Sequence, residues 1–233
     1  MLLESYCCYI SEFFSDTEVQ EIHRQSDSLP WEKGRVGFAE GDPDQLDEDF
    51  NVRNEIRQSE VKWFDERQPL SKDLIEKIHE GVGEVARRNN WSSWEYDYLE
   101  PLQYTVYKHR PDAPVTGDFY TWHTDAGSDA YKNGSQRKLS FTLQLSHPDD
   151  YEGGHFEWLE PQHTFDNLRH NEDIIRIDDI KRRAPFSAQE KGSLIVFPSF
   201  VHHQVTPVIR GTRISLVGWL VGKPYIYGKS YCT

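Results

Sequence analysis

Cysteine is scarce in this chain of 233 residues, with three in all: Cys7 and Cys8 side by side and Cys232 near the other end. Thiols so placed build no disulfide framework, and nothing around Cys7 and Cys8 has the spacing of a zinc site or of a cysteine nucleophile. Long hydrophobic runs are missing as well. No stretch approaches the roughly 20 apolar residues that cross a bilayer. The opening MLLESYCCYI has an early glutamate and no basic leader. These absences predict a soluble, cytoplasmic protein with no membrane partner. Positive charge is also short, with 26 Lys and Arg against 39 Asp and Glu and a formal net charge of −13. An acidic surface repels phosphate backbones and disfavours a general nucleic-acid binder. It leaves a peptide or a small molecule as partner.

Aromatic residues, by contrast, are plentiful: 7 Trp, 12 Tyr and 12 Phe. They supply a core despite the polar average, and the length suits a single domain spanning 1–233. Residues 1–95 read as a mostly helical support region. Ser15 and Glu18 have the spacing of a capping box, which predicts a helix of about three turns through Val19 and Ile22. The acidic segment 40–49 reads as a solvated loop. Ser71 introduces a second helix whose apolar face carries Leu74, Ile75, Ile78, Val82 and Val85, with Gly81 and Gly83 weakening it.

From about Tyr96 the pattern changes to strands, at Leu102–Tyr107, Leu139–Leu145, His155–Leu159, Ser193–Phe197 and Arg213–Leu220. Leu139, Phe141, Leu143 and Leu145 alternate with Ser140, Thr142, Gln144 and Ser146, so that strand has one apolar and one polar face. Helices first and short strands after predict an α+β, mainly β fold. In it the N-terminal helices pack on one sheet of a β-sandwich or jelly roll, and the polar face can line an internal cavity.

Within TWHTDAG, His123 and Asp125 stand two apart, and on an extended strand they project toward one point. With a neutral histidine as third ligand they would make a facial triad, which leaves three metal positions open. By itself the pair is weak, since roughly one His-X-Asp is expected by chance in a chain this rich in both. A second, His147-Pro148-Asp149, reads as a turn because proline cannot donate to a ladder. The run FPSFVHHQVTPVIRGTRISLVGW gives the first pair its weight. It offers His203, with neighbouring His202 as its rival on the opposite face. Ten residues beyond His203 comes Arg213, which shares a strand face with Ser215. A guanidinium pointing inward from an apolar strand needs an anion, and a dicarboxylate cosubstrate supplies one.

These motifs follow in order: Y-x-W-H-T-D, R-K-L-S-F-T-L-Q-L-S, D-D-Y-E-G-G, F-P-S-x-x-x-H-x-V-T-P-V and G-T-R-x-S-L-V-G-W. Together, over roughly residues 96–222, they resemble the Fe(II) and 2-oxoglutarate oxygenases. More narrowly they resemble the prolyl 4-hydroxylase-like branch that includes the PKHD-type hydroxylases. The resemblance implies a double-stranded β-helix (jelly roll) at 96–222. It places His123, Asp125 and His203 on iron and Arg213 on the distal carboxylate of 2-oxoglutarate. It favours His203 over His202. Tyr107 and Gln144 match further cosubstrate contacts, and Tyr120 and Trp122 flank the ligands and border the substrate. The implied cosubstrates are 2-oxoglutarate and O2, with ascorbate supporting the iron. The implied reaction is hydroxylation of a peptidyl proline with release of succinate and CO2. A free amino acid or other small metabolite is the alternative substrate. Asp125 supplies the carboxylate that related halogenases lack. No second spaced arginine, as in the nucleic-acid demethylases, follows Arg213. A cupin-like metal- or ligand-binding module without turnover and a zinc hydrolase are the readings from other classes, and neither requires Arg213. One departure is the polar segment at about 160–191, longer than in compact members. It reads equally as a lid or recognition loop and as a solvated excursion. Oligomeric state is not legible.

Overall fold

A computed structural model describes residues 6–36, 55–91, 96–112, 117–126, 134–160 and 180–224. The acidic segment 40–49 and residues 161–179 of the long polar segment lie outside the described residues. In chain order the elements begin with β1 (Cys8–Ile10), α1 (Asp16–Ser26), β2 (Glu32–Lys33), β3 (Arg57–Gln58), β4 (Glu60–Phe64) and α2 (Lys72–Arg88). Then come β5 (Tyr98–Leu99), β6 (Leu102–Lys108), β7 (Phe119–His123), β8 (Gln136–Gln144), a 3-10 turn (Pro148–Asp150), β9 (Tyr151–Gly153) and β10 (Phe156–Leu159). The last are β11 (Lys181–Arg183), α3 (Phe186–Gln189), β12 (Leu194–Pro198), β13 (His203–Val205) and β14 (Val208–Gly222).

The strands form two antiparallel sheets. The larger runs β1-β12-β8-β14-β6-β4-β2, with β5 and β9 also paired to β14, and the smaller runs β11-β10-β13-β7-β3. This is the expected mainly β jelly-roll architecture with helices on one sheet. Strand β12 shows how the layers are built. Leu194 and Val196 enter the cluster that holds Val19, Ile22, Ile78 and Val82 of the helices. Ile195 and Phe197 enter a second cluster with Phe156 and Trp158 of β10. Burial on both faces explains why this strand reads as a continuous apolar run. In β8 the expected alternation holds: Leu139, Phe141 and Leu143 join the helix-side core, while Ser140, Thr142 and Gln144 are buried polar residues on the opposite face.

Both helices start where the sequence predicts. Ser15 and Glu18 form the reciprocal capping box, and Glu18 also pairs with Lys77 at 2.7 Å, tying α1 to α2. Ser71 precedes α2 but makes no side-chain cap; its backbone N–H donates instead to Gln25 Oε1. His147-Pro148-Asp149 is a turn, as expected, with His147 capping the 3-10 turn. Residues 1–95 contribute strands beside these two helices. That region also supplies β1, β2 and β4 to the larger sheet and β3 to the smaller one. Strands of two to five residues carry too little period-two signal to be read from sequence.

Two glycines of α2 have different surroundings. A Cβ at Gly81 would stand 2.6 Å from Leu194 Cδ2 and 2.6 Å from Phe13 Cε1, whereas one at Gly83 meets nothing within 4 Å. Gly81 therefore lets the helix lie close on β12, and Gly83 serves no packing purpose. Gly83→Ala is expected to raise unfolding stability by about 0.5–1 kcal/mol through helix propensity. Gly81→Ala, with the same propensity gain, is expected to show no increase because the contact opposes it. Urea denaturation of the two variants checks this.

Candidate metal centre

Antiparallel pairing of β7 with β13 sets His123 directly opposite His203. The next matched pair is Val205 with Tyr120, so β7 uses three residues where β13 uses two. Such a bulge turns the extra residue out of register and re-aims its neighbours. It places Tyr120 on the same face as His123, where strict alternation would have put it opposite. The two rings are stacked, 3.5 Å between centroids with a 12° angle.

Asp125 arrives by a different route from the one expected. Strand β7 ends at His123, and Asp125 lies in the bend that follows. The backbone N–H groups of Asp125 and Ala126 both donate to the Ser199 carbonyl, each at 2.9 Å, just beyond β12. The carboxylate then sits 3.7 Å from His123 Nε2 and 3.6 Å from His203 Nε2. Each separation is less than twice the ~2.1 Å of a metal–ligand bond, so one ion reaches both members of either pair. Ligand atoms from all three residues lie within 4.8 Å of one another, the one such cluster among the described residues.

The protonation states suit a metal. His123 Nδ1 donates to the Thr121 carbonyl at 2.7 Å, and His203 Nδ1 donates to the Val201 carbonyl at 2.9 Å. Each bond holds the ring in the tautomer whose Nε2 lone pair faces the cluster. Burial, helped by neighbouring His203, pulls His123 down to about 3, so it is neutral at physiological pH. Burial pushes Asp125 up, but His203, His123 and Arg137 outweigh it and bring the carboxyl down to about 2. Imidazole nitrogen and carboxylate oxygen together suit a divalent transition metal.

Beside the cluster lies a cavity that is partly open to solvent. Phe141, Phe156, Phe197, Val205 and Val217 give it an apolar wall. Arg213 also faces it and is only 2% exposed. Its guanidinium donates to Gln144 Oε1 at 2.9 Å, lies 3.5 Å from Ser215 Oγ, and stands 5.6 Å from the Tyr107 ring centroid. Cross-strand register explains the grouping: Arg213 pairs with Tyr107 and Ser215 with Gln144. Among the described residues, no carboxylate bonds to Arg213.

Of the residues singled out in the sequence, His123, Asp125, His203, Arg213, Tyr107, Ser215 and Tyr120 line this cavity. Gln144 supports Arg213 without lining it, and Trp122 lines no described cavity. His202 is exposed while His203 is 5% exposed, which separates the adjacent pair. Sequence reasoning missed Arg57 and Gln103 in the wall, while Thr142 lies there on the polar strand face expected to line it. The β-prone run Val61-Lys62-Trp63-Phe64, close after Arg57, was the available sign of strands there.

The sequence model of the 2OG-Fe(II) oxygenase superfamily matches residues 102–221. A PKHD-type hydroxylase from Synechococcus sp. (strain CC9902) is 36% identical over 104 residues, 45% of this chain and 36% of that protein. Another from Idiomarina loihiensis is 29% identical over 104 residues, 45% of this chain and 37% of that one. The matched segment spans a little over a third of the length of these curated relatives. In structure, the chain is similar to a Pseudomonas putida prolyl-4-hydroxylase, with TM-score 0.59, 18% identity and 95% of each chain covered. It is also similar to a viral collagen prolyl hydroxylase from Paramecium Bursaria Chlorella virus-1, with TM-score 0.57, 18% identity and 94% and 97% covered. At such identities the likeness is one of fold.

The geometry makes a sharp distinction between adjacent histidines. His203→Ala is expected to lose tight binding of a divalent metal, by about tenfold or more, whereas His202→Ala keeps it within about twofold. Equilibrium dialysis with Mn(II) on both folded variants checks this.

Proposed function

The chain belongs to the 2OG-Fe(II) oxygenase superfamily, and from that membership we propose a dioxygenase that hydroxylates an unactivated C–H bond, with a peptidyl proline as substrate. Family membership implies Fe(II), 2-oxoglutarate and O2. His123, Asp125 and His203 would hold the iron, and Arg213 would take the distal carboxylate of 2-oxoglutarate, with Ser215, Gln144 and Tyr107 around it. Bound iron with its cosubstrates supplies the oxidising power, as 2-oxoglutarate becomes succinate and CO2 and one oxygen atom enters the substrate.

The observation that carries this reading is a buried guanidinium, with no bonded carboxylate among the described residues, sharing one cavity with two histidines and one carboxylate. Neither a binding module nor a zinc hydrolase requires such a cation. The chain's own residues bind, orient and shield. The Nδ1–H bonds to backbone carbonyls keep both imidazoles aimed before anything binds. Tyr120 lies flat on His123 and limits its rotation. The aromatic and aliphatic wall excludes water, which strengthens the Arg213 interaction and protects the oxidising step from side reactions. No acid–base pair is needed.

The same proposal treats the chain as one catalytic unit, since Phe14, Ile78, Leu143 and Leu220 share a single hydrophobic cluster. It also includes a cytoplasmic location, support of the iron by ascorbate, and no nucleic-acid partner given the −13 charge. Among the described residues, no helix is long and apolar enough to cross a membrane.

Anaerobic titration of the Fe(II)-loaded protein with 2-oxoglutarate tests the reading through the weak visible charge-transfer band of an iron–keto acid pair. Wild type is expected to develop the band. Arg213→Ala is expected to need roughly ten to a hundred times more cosubstrate, the loss of a charge-assisted bidentate contact. Folded, metal-loaded wild type that shows no band would sink the oxygenase.

A further inference from the structure

A second buried guanidinium faces the cavity. Arg57 on β3 is 6% exposed. It donates from Nε to Ser59 Oγ at 2.9 Å, from Nη1 to the Arg35 carbonyl at 3.0 Å and from Nη2 to Gln103 Oε1 at 2.7 Å. All three partners are neutral acceptors, and each terminal nitrogen keeps one further N–H. Gly34 closes the cradle, since a Cβ there would stand 2.1 Å from Ser59 Oγ and 2.8 Å from Arg57 Nε. Among the described residues, no carboxylate bonds to Arg57.

Its position relative to the metal cluster is informative. The guanidinium lies 4.8 Å from the centroid of Tyr120, the ring that stacks on His123. One aromatic ring thus separates it from a metal-ligand candidate. Arg213 lines only the cavity at the metal cluster, whereas Arg57 lines both that cavity and an adjoining cleft. The wall of the adjoining cleft includes Lys33, Arg35 and Arg137, with Glu32 and Asp125 as its acids. Arg137 is paired with Glu100 at 2.6 Å and lies 3.8 Å over Trp219. An acidic protein has therefore gathered cations in a cleft beside its site. A guanidinium out of water without a counter-charge is unfavourable, and an arriving carboxylate satisfies both of its free N–H groups.

We propose that Arg57 is a substrate-binding residue that takes a carboxylate of the molecule to be hydroxylated, placing that acid a few bonds from the reacting carbon. The assignment rests on the oxygenase reading and narrows its substrate class. A free amino acid, a chain terminus and an acidic side chain beside the target residue share this chemistry. A purely structural Arg57 would only join β3 to β6 and support Tyr120, with no preference for acids.

Calorimetry on protein loaded with Mn(II) and N-oxalylglycine, an unreactive analogue of 2-oxoglutarate, tests it. The probes are two matched pairs: N-acetyl-L-proline with its amide, and N-acetyl-prolyl-glutamate amide with its glutaminyl counterpart. Wild type is expected to bind at least one acid about tenfold more tightly than its neutral match. Preference in the first pair identifies a small acid or chain end, and preference in the second an acidic side chain. In Arg57→Gln the preference is expected to fall below about twofold, and Arg57→Lys to retain part of it. N-oxalylglycine affinity should be unchanged in both variants, showing that the site still folds. Equal binding of acids and amides, no binding of any probe, or a preference that survives Arg57→Gln overturns the assignment and leaves the oxygenase intact. Failure of wild type to bind N-oxalylglycine at all takes down the oxygenase reading and this one with it.

Discussion

Because His203 stands directly across the ladder from His123, the spacing of the two imidazoles is set by backbone hydrogen bonds rather than by side-chain contacts. A ladder holds opposed residues near a fixed separation, and each ring is tied back to the carbonyl two residues earlier in the chain. The bulge that follows brings Tyr120 onto the same face, where it buttresses His123. Asp125 completes the cluster through a third segment, its N–H bonded to Ser199 after β12. The donors are thus held by the small sheet and by one turn, before any ion is considered.

Charge is distributed against the average of the chain. A protein of net charge −13 keeps two arginines buried at its cavity, each held by neutral acceptors and neither bonded to a carboxylate among the described residues. An uncompensated buried charge costs several kcal/mol in general, so these positions weaken the empty fold and favour the state in which anions fill them. Stability given up at a site is what allows ligand binding to restore it. The large sheet bears that cost. Its strands β8, β12 and β14 pack against both helices, and Leu139, Phe141, Leu143, Leu194, Leu216 and Leu220 have no exposed surface.

Much of this was legible in the chain. Period-two alternation in Leu139–Leu145 identified a strand with a core face and a cavity face, and both are present. The Ser15–Glu18 spacing located the start of α1, and proline marked His147–Asp149 as a turn. Arg213 was recognisable because a permanent cation within an apolar strand requires an anion to face it. What escaped was carried by short elements and irregular ones. Strand β3 is two residues long, so Arg57 had no pattern around it. Tyr120 shares a face with His123 through a bulge that no local periodicity predicts.

Donor identity, the order of the motifs and the strand faces follow from local preferences, since a side chain's direction along a strand depends on its near neighbours alone. Whether His202 or His203 faces the cluster, how Asp125 reaches it, and that Arg57 enters the cavity wall were decided only by the assembled sheets. Those features depend on register between segments far apart in the chain, which local chemistry leaves free until the strands pair.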